Sequence, residues 1–116
     1  MRIVGDQKYF THFEYWESNG LEKPVTKIVC AASIIEHNGK EILLVGARHF
    51  DSQMRNQIEN LGLKNGDYKR KEQGFIDQFG YFHNRKEALK IVLENGQPFD
   101  PKRNGSNEEL FSEGIY

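Results

Sequence analysis

The residues best suited to chemistry lie at a corner where an apolar run of the sequence ends. The run ILLV reaches Gly46 and is followed by Arg48, His49 and Phe50, before Asp51 marks the expected start of a helix. The Arg48 guanidinium is a planar fork that suits phosphate oxygens, and a nearby helix start adds N–H donors. An aromatic ring can stack on a base. The corner therefore predicts a contact with a phosphorylated small molecule, although Asp51 can instead pair with Arg48 and His49 can simply pack.

A second group of candidate ligand-binding residues lies in one predicted hairpin and at the start of the helix that follows it. Aromatic, imidazole, amide and guanidinium groups together can read a nucleotide by stacking, base-edge hydrogen bonds and phosphate pairing. The structural alternative is that the two phenylalanines belong to the core and that the asparagine only caps a helix, and for Asn84 we favour this alternative. The members of the group are Gln73, Phe75, Asp77, Phe82, His83, Asn84 and Arg85.

Signatures of catalysis are sparse in this sequence. It has neither a GxxxxGK phosphate loop nor a GxSxG or HExxH motif, and its four histidines lack metal-ligand spacing. A His49/Asp51 or His83/Asp77 acid–base pair remains an alternative. We therefore predict no catalytic residue, no metal site and no cofactor.

Composition narrows the class of partner. The chain has 116 residues and a formal net charge of −1, with 16 Lys and Arg against 17 Asp and Glu. A general nucleic-acid binder usually has a basic excess, so we expect a small ligand rather than a nucleic-acid polymer. The single cysteine excludes an internal disulfide or a Cys-based metal site. With no apolar span of membrane length, we expect a cytoplasmic protein with no membrane partner, and its aromatic content suggests an oligomer.

The first half of the chain predicts a hairpin followed by a helix. Residues 25–36 and 41–45 are β-rich runs on either side of an Asn38-Gly39 turn, which is a strong hairpin signal. Asp51 or Ser52 then caps a helix whose buried stripe is Met54, Ile58 and Leu61, and Gly62 ends it. Residues 63–73 are expected to form a polar, mobile connection.

The second half repeats this pattern loosely. Residues 75–76 and 81–82 flank a turn at residues 77–80, and Asn84 with Glu87 resembles a capping box. A helix should follow over residues 85–94, stopped by Asn95 and Gly96, with its buried face formed by Ala88, Leu89, Ile91, Val92 and Leu93. We expect an α+β fold: an antiparallel sheet built from two β-hairpins and packed by two α-helices, in a single domain over residues 1–116. Within it, residues 1–24 form an aromatic-rich segment and residues 97–116 an irregular tail that can dock on the body.

Three stretches of the sequence carry a resemblance to a known family. GARHFDSQM, EQGFIDQFGYFHNRKEALKIVLENGQ and ELFSEGIY are similar to the Thoeris anti-defence proteins of the first type, which are phage proteins, and the resemblance covers roughly residues 27–116. Members of that family act as sponges, binding an immune signal and withholding it without cleavage.

The resemblance implies a ligand, an assembly and a site. The ligand is glycocyclic ADP-ribose, the messenger of host Thoeris immunity, with cyclic trinucleotides of CBASS immunity held at separate sites in some members. The assembly is a homo-oligomer, a hexamer built as a trimer of dimers, in the cytoplasm of the infected bacterial host. The ligand-binding residues expected from the two clusters and the resemblance together are Arg48, His49, Phe50, Gln73, Phe75, Phe82, Arg85, Asn95 and Arg103.

Two other functions compete with the sponge. One is a small nucleotide-processing enzyme, a phosphodiesterase or glycohydrolase acting through His49 and Asp51. The other is an inhibitor that binds a host protein through the aromatic residues of positions 9–16. The resemblance favours the sponge.

Overall fold

The computed structural model describes Val4 and residues 25–116, which form a four-stranded antiparallel sheet with helices packed on one face. The elements in chain order are β1 (Ile28–His37), β2 (Lys40–Gly46), α1 (Ser52–Asn60), β3 (Lys69–Asp77), β4 (Phe82–Asn84), α2 (Arg85–Glu94), α3 (Pro101–Asn104) and a 3-10 helix (Ser112–Gly114). The order of strands in the sheet is β2-β1-β3-β4. The predicted α+β class, with two hairpins in one antiparallel sheet, is confirmed.

The first hairpin forms around the predicted turn. Asn38 and Gly39 have φ angles of 52° and 76°, the positive values that a type I′ turn requires at both central positions. His37 pairs with Lys40 across it, and the pairing continues to Ala31 opposite Gly46. The strand begins at Ile28 rather than at Val25.

The second hairpin is organised by a buried carboxylate. Asp77 Oδ1 accepts the backbone N–H groups of Phe79 at 2.8 Å and Tyr81 at 3.1 Å, and Asp77 Oδ2 lies 2.8 Å from Nε2 of His83. These bonds close the turn at residues 77–80, so that Ile76 pairs with Phe82. The predicted second hairpin is confirmed.

The two faces of the sheet carry separate apolar clusters, because side chains alternate along each strand. The helix-side cluster joins Ala31, Ile35 and Phe75 of the sheet to residues of α1, α2 and the tail. The opposite cluster contains Ala32, Ile34 and Phe82, and Val4 packs there. The helix side is the face on which the candidate residues meet.

The helices follow their predicted caps, but two leucines do not follow the predicted burial. Asp51 caps the start of α1, and Gly62, with a φ angle of 73°, follows the end of the helix. Leu61 is the C-cap residue and is 49% exposed, so its assignment to the buried stripe was wrong. The predicted capping box of Asn84 and Glu87 begins α2. Leu93 is 59% exposed, so its assignment to the buried face was also wrong. It follows Val92 by one residue and therefore points about 100° away from the buried stripe.

The connection predicted over residues 63–73 is wrong in its second half, where β3 begins at Lys69. The register between β1 and β3 shifts so that Ile34 faces Glu72 while Ile35 faces Arg70, which leaves Lys71 as an extra residue in a β-bulge. Lys71 instead pairs with Glu36 at 2.8 Å. The bulge interrupts the apolar–polar alternation from which strands are predicted. The first residues of β3 are charged, which suits a part of the strand that does not pair with β4.

The tail lies against the helix side of the sheet. Leu110 is fully buried, and its N–H donates to the carbonyl oxygen of Arg85 at 2.9 Å. The tail was predicted to be irregular, but it contains α3, which begins at Pro101 under an Asp100 cap, and the 3-10 helix. The expectations for the aromatic segment of residues 1–24 lie outside the described residues, apart from Val4.

Candidate functional site

The corner after β2 is shaped by one carboxylate. Asp51 Oδ1 accepts the N–H of Met54 at 3.0 Å, and Oδ2 accepts the N–H of Arg48 at 3.1 Å. A Cβ added at Gly46 would lie 2.6 Å from Asp51 Oδ1, so the carboxylate needs the space that glycine leaves. Partial burial opposes ionisation, but backbone N–H donors, led by Met54, hold the pKa of Asp51 below its ordinary value. The corner therefore turns His49 toward the sheet.

His49 is fixed by hydrogen bonds on both ring nitrogens. Its Nε2 lies 2.7 Å from the Gly74 carbonyl oxygen and 3.1 Å from that of Ala32, so Nε2 must carry the hydrogen. Its Nδ1 is then an acceptor and lies 3.4 Å from Nη2 of Arg85. Burial, and then the charge of Arg85, lower the pKa of His49, which keeps the ring neutral.

Arg85 ties three parts of the chain together. Its Nη2 donates to Gln73 Oε1 at 2.8 Å, and its Nη1 donates to the Leu110 carbonyl oxygen at 2.8 Å. Burial lowers the pKa of Arg85, while Glu109 and Glu113 of the tail oppose this effect. A guanidinium has more N–H donors than these contacts use, so a ligand can still be bound.

Aromatic rings flank the guanidinium. The centre of the Arg85 guanidinium lies 4.5 Å from the ring centroid of Phe111 and 6.0 Å from that of Phe75. The Phe75 ring also packs edge-to-face against His49 at 5.2 Å. We call His49, Gln73, Phe75, Arg85 and Phe111 the Arg85 cluster.

A cleft of about 360 Å³ opens beside the Arg85 cluster. Gln73, Arg85 and Lys86 contribute hydrogen-bond donors to it, and Glu72 and Glu109 contribute carboxylates. Because α2 begins at Arg85, the positive end of that helix also lies there. The arrangement can hold an anionic group and a polar one side by side.

Arg48 contacts the tail rather than the Arg85 cluster. Its Nη2 donates to the main-chain oxygen of Tyr116 at 2.6 Å, and its Nη1 lies 3.6 Å from Glu113. The alternative of a salt bridge with Asp51 is therefore replaced by one with the tail. Burial raises the pKa of Tyr116 to about 12, which keeps that ring a neutral phenol beside the corner.

Three other predicted ligand residues lie apart from the Arg85 cluster. Phe82 is 1% exposed and belongs to the apolar cluster on the opposite face of the sheet. Asn95, the C-cap of α2, donates from its side chain to the Thr26 carbonyl oxygen at 2.8 Å. Arg103, in α3, lines a shallow hollow with Glu113 and Tyr116.

Phe50 belongs to a different cleft. The centre of the Arg70 guanidinium lies 3.6 Å from its ring centroid, and Arg55, Lys64 and Tyr68 line the same space. Sequence reasoning missed these four residues, and it missed Phe111. The adjacent Lys69-Arg70-Lys71 triplet was the available signal for one side of this cleft.

Both carboxylates of the alternative acid–base pairs hold backbone structure. Asp51 caps α1, and Asp77 closes the turn of the second hairpin. His83 and Asp77 are both buried, at 4% and 2% exposure. In this arrangement each carboxylate supports the fold.

The described part of the chain shows neither a metal-binding cluster nor a membrane-spanning helix. Within it, no group of three or more His, Cys, Asp or Glu side chains is arranged to hold a metal ion. Over the same residues, no helix combines the length and apolar character needed to cross a membrane.

The fold and the site together define a small α+β domain with clefts that are lined by arginine and lysine side chains on the helix side of its sheet. Residues 27–116 match the model of the phage T4 y16D protein family, and the chain belongs to that family. Neither the curated proteins nor the solved structures contain a match. The chain is therefore a phage protein.

Proposed function

We propose that this phage protein is a sponge that binds glycocyclic ADP-ribose and holds it intact, which blocks Thoeris defence in the host cytoplasm. The observation that carries the proposal is the convergence of His49, Gln73 and Arg85, three predicted ligand residues from separate elements. They meet beside a cleft that also contains Lys86.

The cleft offers groups suited to each part of such a ligand. Arg85, Lys86 and the start of α2 would bind the phosphates, because guanidinium groups and helix N-termini both favour them. The Phe111 ring lies 4.5 Å from the centre of the Arg85 guanidinium, next to the residues that line the cleft, and would extend a platform for the base. Glu72 and Glu109 would accept hydrogen bonds from ribose hydroxyls.

The state of the titratable groups favours binding over turnover. His49 is neutral and hydrogen-bonded at both nitrogens, so a proton transfer there would disrupt the contacts that fix it. Asp51 is committed to the cap of α1. A sponge needs affinity and slow release, and it requires neither a nucleophile nor a base.

We propose that the protein acts as a homo-oligomer, a hexamer arranged as a trimer of dimers, and that it also binds cyclic trinucleotides of CBASS immunity. Light scattering on a sizing column gives the subunit count.

A capture-and-release experiment tests the function. Purified protein is mixed with glycocyclic ADP-ribose and filtered, and the filtrate and the denatured protein fraction are analysed by mass spectrometry. A sponge depletes the filtrate and returns the unchanged ligand on denaturation. A new product in either fraction would instead show an enzyme, and undepleted ligand would exclude this messenger. The same experiment with a cyclic trinucleotide tests the second ligand.

A further inference from the structure

A second cleft lies between α1 and β3, and it shares no lining residue with the cleft beside Arg85. It measures about 530 Å³, within the range of small-molecule sites. Phe50 and Tyr68 supply aromatic rings, and Arg55, Lys64 and Arg70 supply positive charge.

Phe50 enters this cleft in an unusual backbone conformation. Its φ angle is 51°, a left-handed value that is rare for a bulky side chain. Its N–H donates to Sδ of Met54 at 3.0 Å, and its ring packs against the helix-side core. Residues held in such conformations cluster at ligand sites, where surrounding structure fixes a ring in place.

The β-bulge in β3 places Arg70 opposite that ring. Because Lys71 is the extra residue, Arg70 rather than Lys71 lies opposite Ile35. Ile35 belongs to the helix-side core, so the Arg70 side chain leaves the sheet on the same face. Its guanidinium centre then lies 3.6 Å from the Phe50 centroid, in a stack that leaves the other guanidinium face directed away from the ring.

The charges of this cleft favour an anion. Among the described residues that line this cleft, Arg55, Lys64 and Arg70 face one carboxylate, Glu59, although the whole chain carries a net charge of −1. Ile58 and Leu63 add an apolar wall. A local positive site in a near-neutral protein suits a small anion better than a nucleic-acid polymer.

We propose that the cleft between α1 and β3 binds a free nucleoside monophosphate. The base stacks on the outer face of the Arg70 guanidinium, beside Tyr68, and the phosphate pairs with Arg55 and Lys64. Arginine suits this role because its planar group stacks on rings while retaining its charge.

Isothermal titration with AMP, adenosine and inorganic phosphate tests the proposal. AMP should bind saturably, and adenosine and phosphate alone should each bind at least about tenfold more weakly, because each lacks half of the recognised chemistry. Arg70→Gln should weaken AMP binding about tenfold, since it removes the planar cation on which the base stacks. Lys69→Gln is the matched control, because it removes the same charge from the adjacent position of β3 and should change the affinity by less than about twofold.

A second variant keeps the test decisive if Arg70→Gln alters the fold. Phe50→Leu keeps an apolar side chain but removes the ring that supports Arg70, so it should also weaken AMP binding. In NMR spectra of the wild-type protein, AMP should shift the ring signals of Phe50 and Tyr68. Absence of AMP binding to the wild-type protein, or equal affinities for the Arg70→Gln and Lys69→Gln variants, would overturn the proposal. These outcomes are independent of glycocyclic ADP-ribose capture.

Discussion

At the scale of single residues, two of the three predicted arginines, Arg48 and Arg85, bond to distant partners in the tail. Arg48 bonds to the main-chain oxygen of Tyr116, and Arg85 bonds to that of Leu110. Every residue has a main-chain oxygen, so the sequence does not indicate which one an arginine side chain will bond to. These pairings were therefore not predictable. Sequence analysis placed Arg85 and Gln73 in one cluster of predicted ligand residues, and the two side chains do meet.

His49 should make stability depend on pH in a specific direction. Burial and Arg85 lower its pKa in the folded protein, so the unfolded chain binds the proton more readily. Its contribution is therefore fully present above the unfolded value of about 6.5 and is lost as the pH falls through the folded pKa. His49→Gln keeps a donor for the two carbonyl oxygens and an acceptor for Arg85, but it does not titrate.

We expect urea unfolding below pH about 6.5 to show wild-type stability falling more steeply than that of His49→Gln. Comparing the two proteins at each pH removes the contributions of the other titrating groups. Parallel curves over this range would show that His49 is not held neutral.

At the scale of elements, local signals fixed most of the boundaries. The Asn38-Gly39 turn and the Asn84–Glu87 capping box both formed where their residue types predicted. The beginning of β3 was missed, because its bulge at Lys71 interrupts the alternation and its first residues are charged. Bulges depend on pairing with another strand, which a single segment does not reveal.

Glutamine side chains bond to strand backbone at two places, in the way that a neighbouring strand would, and a third glutamine bonds to the backbone just before β1. The Gln57 amide accepts the N–H of Val45 at 3.0 Å and donates to its carbonyl oxygen at 2.6 Å. Gln97 does the same for Ile28, at 2.9 and 2.8 Å. Gln78 bridges Lys27 and Val25. Each amide satisfies both a donor and an acceptor, which protects the strand edge.

Replacing Gln57 by Glu should therefore destabilise the fold, because a carboxylate cannot donate to Val45. We expect a loss of about 1–3 kcal/mol in the free energy of unfolding, measured by urea titration. Asn56→Asp, an equal charge change on the exposed side of α1, is the control and should cost less than about 0.5 kcal/mol. Equal losses in the two variants would argue that charge, and not the missing donor, is responsible.

At the scale of the whole molecule, the tail completes the helix-side core. Leu110 is fully buried in that core, and the two arginines bind the backbone on either side of the 3-10 helix. The sequence indicated that the tail can dock, through its apolar residues. It did not indicate that the candidate site and the tail share Arg85, because that contact spans 25 positions of the chain.

Leu110→Ala should consequently cost about 2–5 kcal/mol in the free energy of unfolding, as buried leucine truncations do. Leu93→Ala removes the same atoms from an exposed position of α2, and we expect a change below about 0.5 kcal/mol. Thermal unfolding followed by circular dichroism measures both variants. Similar losses in the two would mean that the tail is not part of the cooperative core.

The most direct test of the proposed site is calorimetric titration of glycocyclic ADP-ribose into the wild-type protein, Lys86→Ala and Lys90→Ala. Lys86 lines the cleft beside Arg85, whereas Lys90 lies one turn further along α2, 3.9 Å from Glu94 in an exposed ion pair. We expect Lys86→Ala to weaken binding about tenfold, through loss of a phosphate contact, and Lys90→Ala to change it by less than about twofold. Equal affinities for the two variants, or the absence of binding to the wild-type protein, would contradict the assignment of this cleft as the signal-binding site.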